Sequence, residues 1–293
     1  MAKNEVKEVI KRVSEDKASL EFFEEFASDE RVVMAAVKQD GKQLKFATEE
    51  LRNDKKIVTQ AIENNKEALQ HAGDDIRNNK PFMFNLIKKD KGYAKYLGSE
   101  LRTSHDFLIS TMEKLGKEFL EFIADEMKDD KAFMLEAIKL DKHALAYASN
   151  RLKEDKDVVL ASIRWGGTEE HIGERLRNDE SFISEMFEKN LVFPDTPLDW
   201  LGEKIRSSKD FMLDHVPDRP YLFQYAADAL KMNRSFILQF DAPYLSRILP
   251  HIDEELQAEP AFLTEAAKKD PEVLNRISDK KVKKEVKKAL KGK

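Results

Sequence analysis

Side chains able to do chemistry are plentiful in this chain, but few are spaced for it. The six histidines are His71, His105, His143, His171, His215 and His251. No two stand three or four residues apart, the spacing that sets two imidazoles on one helix face around a metal. Acidic pairs such as Glu49-Glu50, Asp74-Asp75 and Asp129-Asp130 recur along the chain. A general acid/base couple needs two carboxylates in unlike surroundings, and pairs this common read as solvated helix ends and caps. The chain has no cysteine, which removes thiolate nucleophiles, thiolate metal sites and disulfides. Phosphate-cradling G-x-x-x-x-G-K-[ST], G-x-S-x-G and H-E-x-x-H are all missing. The expectation is a protein that is not an enzyme, with no catalytic residue, metal or cofactor.

Recognition chemistry is better represented. Eight basic residues recur at intervals of 24 to 29 residues: Arg52, Arg77, Arg102, Lys128, Lys153, Arg177, Arg206 and Lys231. Stacked repeats would line them up with a rung every ~8–10 Å. Such a stripe suits an acidic protein segment or a phosphate backbone. It equally suits the C-terminal ends of short helices, where the backbone dipole favours cations. Both tryptophans, Trp165 and Trp200, fall in a stretch that also holds Arg219 and five of the nine prolines, Pro194 to Pro243. Trp and Arg are common anchors of protein interfaces. Of these, Trp165, Trp200, Arg219, Arg52, Arg77, Arg102, Lys128 and Lys153 are the candidate partner-binding set.

What must position them is a repeat. Ten units begin at Phe26, Leu51, Ile76, Leu101, Met127, Leu152, Leu176, Ile205, Leu230 and Leu256. Counting from each start, positions 7, 8, 11 and 12 are apolar in most copies, as in Ile57, Val58, Ala61 and Ile62. That spacing lays one apolar stripe along a helix. Position 4 offers a capping oxygen (Asp54, Asn79, Asp130, Asp155, Asp179), and position 15 offers another for a second helix (Asp40, Asn65, Asp90, Asp141, Asn190, Asp270). Helices this short are marginal alone and are stabilised by stacking on their neighbours. The sequence therefore predicts an all-α solenoid of two-helix repeats. Residues 1–25 form a helical cap, 26–151 regular repeats, 152–255 degenerate repeats with loop insertions, and 256–293 the last repeat with a Lys-rich cap helix.

The stretch VVMAAVKQDGKQLKFATEELRNDKKIV, residues 32 to 58, resembles a tandem-repeat family of bacteria and protists whose signature is close to VVLAAVKQNG-ALEYAS-ELRND. ALAYASNRLKEDKDVVLAS, residues 144 to 162, is another close copy. The resemblance is good over residues 26 to 160 and degenerates from Trp165 to Pro250. The family is a domain of unknown function, so the resemblance implies helical repeats and no catalytic residues.

Charge narrows the partner. The net charge is -5, yet Asp279 to Lys293 carry eight lysines against two acids. The remainder is strongly acidic, which disfavours broad nucleic-acid binding because that affinity comes from neutralising phosphates. No apolar run reaches the ~18 residues of a membrane span, and the N-terminal residues lack a signal-peptide core. The expected protein is a cytoplasmic scaffold that binds a protein partner through its extended surface. Nucleic-acid binding through the basic ladder and Lys-rich tail is the alternative, and an unrecognised enzymatic site ranks third.

Overall fold

The computed structural model describes residues 3–164, 169–192 and 197–292, and every regular element among them is helical. The chain divides into two compact units, the first ending at Leu152 and the second beginning at Lys153.

The first unit opens with α1 (Lys3–Ser14) and a 3-10 helix (Leu20–Phe26). Long helices follow at intervals: α2 (Glu30–Gln39), α4 (Lys55–Asn64), α6 (Lys80–Lys89), α8 (His105–Leu115) and α10 (Lys131–Leu140). Between them lie the one-turn helices α3 (Glu49–Arg52), α5 (Asp74–Arg77), α7 (Ser99–Arg102) and α9 (Asp125–Lys128), with α11 (Asn150–Lys153) closing the series. Each long helix buries positions 7, 8, 11 and 12, as expected; Ile57, Val58 and Ala61 are fully buried, as are Phe133, Met134, Ala137 and Ile138. Successive long helices pack together, α1 on α2, α2 on α4, and α6 and α10 on α8. The position-4 caps form as the sequence requires: Asp54 Oδ1 accepts from the N–H groups of Lys56 and Ile57, and Asp130 Oδ1 from Phe133.

The expected second helix is in fact two pieces. A 3-10 helix (Gly41–Phe46, Lys66–His71, Lys91–Tyr96, Lys117–Phe122, Lys142–Tyr147) is capped by the position-15 side chain in four of these five copies, as where Asp90 Oδ1 accepts from Gly92 N–H at 2.8 Å; Lys117–Phe122 instead follows Gly116 (φ 85°), which has no side chain to cap it. The backbone then runs extended for two residues before the one-turn helix begins. The break has a cause: the second extended residue turns its N–H back to the preceding one-turn helix, so that, with repeats counted from one one-turn helix to the next, the bond joins successive repeats. Gly73 donates to the Arg52 carbonyl, Gly98 to Arg77 and Ser149 to Lys128, at 2.8 to 3.0 Å. A continuous helix would keep those N–H groups for itself.

Capping crosses the same seam. Gly98, which begins α7, has no side chain to cap it. Instead Asn78 Oδ1, from the preceding repeat, accepts from Glu100 N–H (3.1 Å) and Leu101 N–H (3.3 Å). A Cβ on Gly98 would lie 2.3 Å from that oxygen, so the close approach requires glycine. Gly73 and Asn53 repeat the arrangement. Where serine stands instead, at Ser149, its hydroxyl donates to Asp129 and accepts from Leu152 N–H. A row of ion pairs also links repeats: Lys42–Glu67, Lys66–Asp90, Lys91–Glu118 and Lys117–Asp141.

The second unit carries α12 (Lys156–Arg164), α13 (Glu174–Arg177), α14 (Glu180–Glu188), α15 (Glu203–Ser207), α16 (Lys209–His215), α17 (Asp228–Lys231) and α18 (Arg234–Ile237). It continues with α19 (Tyr244–Ile248), α20 (Glu254–Ala258), α21 (Pro260–Lys269), α22 (Val273–Arg276) and α23 (Lys280–Leu290). The cross-repeat bonds persist despite the irregular sequence. Gly173, Gly202, Ala227 and Asp253 donate to the carbonyls of Lys153, Arg177, Arg206 and Lys231. Glu154 and Asn178 supply the crossing caps. One expected cap differs: Asn190 adopts the left-handed conformation (φ 52°), and its N–H donates to the Phe187 carbonyl at the end of α14. Helix α23 packs on α21 with Val286 fully buried, leaving its lysines outside.

Candidate binding surface

The basic ladder takes its expected place at or next to the last residue of each one-turn helix, but its charges are engaged locally. Arg52 pairs with Glu49, Arg77 with Asp74, Lys128 with Asp125, Arg206 with Glu203 and Lys231 with Asp228, each three residues back. Arg102 reaches Glu126 in the next one-turn helix at 3.0 Å. The guanidinium stems lie against the body: the Nε atoms of Arg52, Arg77 and Arg177 are shielded from water without a hydrogen-bond partner. Arg206 Nε donates to the Tyr225 carbonyl. Lys153 is half-buried, and that burial lowers its pKa. The carbonyls of all these residues except Arg102 hold the cross-repeat bonds described above. The ladder is thus part of the seam between repeats.

The anchors proposed from the irregular stretch are placed differently. Trp165 lies outside the described residues. Trp200 is 9% exposed, and its indole N–H is buried without a partner. Arg219 is drawn inward: Nη2 donates to the Phe187 carbonyl at 2.7 Å, and the guanidinium stacks 4.8 Å from the Phe187 ring centroid. Phe187, Phe211 and His215 form an aromatic cluster beside it. Within it, Ser184 Oγ and His215 Nε2 are 2.8 Å apart. Burial, with the nearby Arg219 charge, lowers the His215 pKa and favours the neutral ring. The sequence did not pair these two residues, which lie 31 apart.

A second feature went unread in the sequence because it lies beside the apolar stripe. Position 9 of the long helices is half-buried throughout, and in most copies it is apolar. In the first unit the row is Met34, Thr59, Phe84, Ile109 and Leu135; in the second it is Leu160, Ser184, Leu213, Leu238 and Thr264. Position 9 points away from the centre of the buried stripe, where an amphipathic helix ordinarily turns polar. At the start of the row, Met34 of α2 faces the α4 cap Asp54 and Lys55, Lys56, Thr59, Gln60 and Glu63 of α4 across a groove of 620 Å³, two carboxylates and two ammonium groups among its lining. Among the described residues no group of His, Asp and Glu side chains is placed to hold a metal. Among the described residues no helix is long and apolar enough to cross a membrane.

Stacked helical units joined by cross-repeat caps define a tandem helical-repeat protein of the all-α solenoid class. The family model described as "Domain of unknown function (DUF4116)" matches five times in overlapping register, at residues 6–52, 29–77, 54–102, 106–153 and 130–169. Those matches cover more than half of the chain, which belongs to that family. No curated protein matches it, and no solved structure does.

Proposed function

We propose that the chain is a non-catalytic scaffold whose long-helix surface receives another protein. The observation that carries this reading is the row of half-buried position-9 side chains. In the first unit five of them occupy equivalent places on successive long helices; in the second, Leu160, Ser184, Leu213 and Thr264 lie on α12, α14, α16 and α21, and Leu238 lies just past the four-residue α18. Removing such apolar area from water is favourable by about 25 cal/mol per Å², and a periodic row offers that gain to a partner lying across several repeats. Repeat proteins use their stacked surfaces in this way. The basic ladder supports the alternative of nucleic-acid binding less well, because five of its eight cations already pair with acids of their own helices and Arg102 with Glu126.

The test is affinity capture from native cells, after nuclease treatment, with the full chain and with the variant Met34→Glu/Phe84→Glu/Leu135→Glu. The wild type is expected to retain a defined set of proteins that the variant loses while keeping its helical circular dichroism. A folded variant that retains every partner refutes the reading.

A further inference from the structure

The position-9 row is not uniform in its electrostatic surroundings. Helices α2, α4 and α6 together carry seven basic side chains and two acidic ones, Glu30 and Glu63. Arg31 is held by Asp29, the cap of α2. Lys38, Lys55, Lys56, Lys80 and Lys88 are exposed and have no ion-pair partner among the described residues. Lys55 instead leans over the Phe82 ring (5.9 Å), and Lys114 of α8 lies over Phe84 (5.1 Å). The contrast with the ladder is physical. Five of the eight position-2 cations pair with an acid three residues earlier on their own helix, and Arg102 pairs with Glu126, whereas Lys55 of α4 lies against an apolar ring. This basic patch sits on a chain whose net charge is -5.

We infer that the α2–α4–α6 surface is a docking site for an acidic segment of a partner protein. The segment presents carboxylates to Lys56, Lys80 and Lys88 and an apolar side chain to the groove between Met34 and Thr59. The inference rests on the scaffold reading above and adds the partner's chemistry. Charge complementarity selects an acidic partner and speeds encounter. The apolar element selects a protein segment over a phosphate backbone, since Met34 and Phe84 gain nothing from phosphate. Exposed lysines hold solvated charges that cost little to expose, so their lack of intramolecular partners leaves the whole interaction available to a ligand.

The test uses the full chain and a fluorescein-labelled synthetic peptide about 16 residues long, four to five helical turns. It carries Glu on one face and Leu and Phe at i, i+3, i+4 and i+7. Three further probes are its Lys-for-Glu counterpart, its Ala-for-Leu/Phe counterpart and polyuridylate. The Glu-rich amphipathic peptide is expected to bind at least about tenfold tighter than either counterpart, a difference of about 1.4 kcal/mol, and to weaken with salt. Lys56→Glu/Lys80→Glu/Lys88→Glu changes only exposed, unpaired side chains, and it is expected to fold and to invert the preference between Glu- and Lys-rich peptides. Equal binding of both charge types, or an unchanged preference in the triple variant, overturns the inference. So does polyuridylate binding as tightly as the peptide. If the peptide fails while Met34→Glu/Phe84→Glu/Leu135→Glu still loses its cellular partners, the partner chemistry is wrong and the scaffold reading stands. If that variant keeps its partners, both fall.

Discussion

The cross-repeat cap at Gly98 makes a quantitative demand on a double-mutant cycle. Asn78→Ala removes the oxygen that accepts from Glu100 and Leu101 N–H, a loss of about 1 kcal/mol for a helix cap. Gly98→Ala keeps Asn78, but the new Cβ would meet Oδ1 at 2.3 Å and Cγ at 2.5 Å, so the flexible Asn78 side chain must swing out and the cap is lost again. The Gly98 backbone (φ -66°, ψ 167°) suits alanine without strain. Restricting the unfolded chain therefore returns about 0.4–1 kcal/mol, leaving a net loss of about 0.3 kcal/mol. The double variant loses the cap once and gains the same entropic return, so it is also only about 0.3 kcal/mol less stable than wild type. The two single losses then exceed the double loss by about 1 kcal/mol. Urea titrations followed by helical circular dichroism measure the four stabilities. Hydrogen exchange at the Glu100 and Leu101 amides supplies a local reading, with about fivefold faster exchange expected in all three variants. Losses that add to within about 0.3 kcal/mol would show that the glycine and the asparagine act independently and refute the shared-cap account.

Other outcomes follow from the same geometry. Phe133→Ala empties a fully buried site on α10 and is expected to lower stability by about 3–5 kcal/mol; a loss below about 1 kcal/mol would mean that neighbouring repeats close over the gap. Charge reversal at Arg52 and Arg77 places like charges three residues apart on α3 and α5. A penalty of ~0.2–0.5 kcal/mol per site is expected, with the captured partners unchanged; losing partners from a folded reversal variant would return the ladder to the binding surface. His71, His215 and His251 all have pKa values lowered chiefly by burial. On acidification the unfolded chain takes up those protons first, so stability present above the ordinary value near 6.5 falls as the pH drops below it. His215→Gln is expected to flatten that decline between about pH 7 and 5.5, read as urea midpoint against pH, and an unchanged slope would assign the effect elsewhere.

Much of the architecture was legible because it is local. Apolar spacing at positions 7, 8, 11 and 12 depends on a single helix, and Phe133, Met134, Ala137 and Ile138 are buried as that spacing demands. The position-4 oxygens cap their own helices for the same reason. What escaped depends on contacts between repeats. Nothing in the isolated run LQHAGDDIR announces that Gly73 gives its N–H to Arg52, so the 3-10 segment and the one-turn helix read as one helix. The ladder was visible as a pattern, but the acids three residues back decide what its cations face. Trp200 shows the limit of composition, since an aromatic in an irregular stretch suits a buried gap as well as an exposed anchor, and here it is buried. The position-9 row became readable only once burial separated it from the stripe beside it.

The crossing caps run one way along the chain. Asn53, Asn78, Glu154 and Asn178 each complete a helix that lies later in the sequence. A repeat released C-terminally therefore leaves the start of its predecessor's one-turn helix capped and takes only the N–H that the helix's last carbonyl accepts, whereas a repeat removed from the other side leaves its successor with bare N–H groups. The array thus has a polarity, and that polarity matches the direction of synthesis. Each repeat leaving the ribosome meets a neighbour that already holds out the oxygen it lacks, so assembly can advance by templated addition from the N-terminal side.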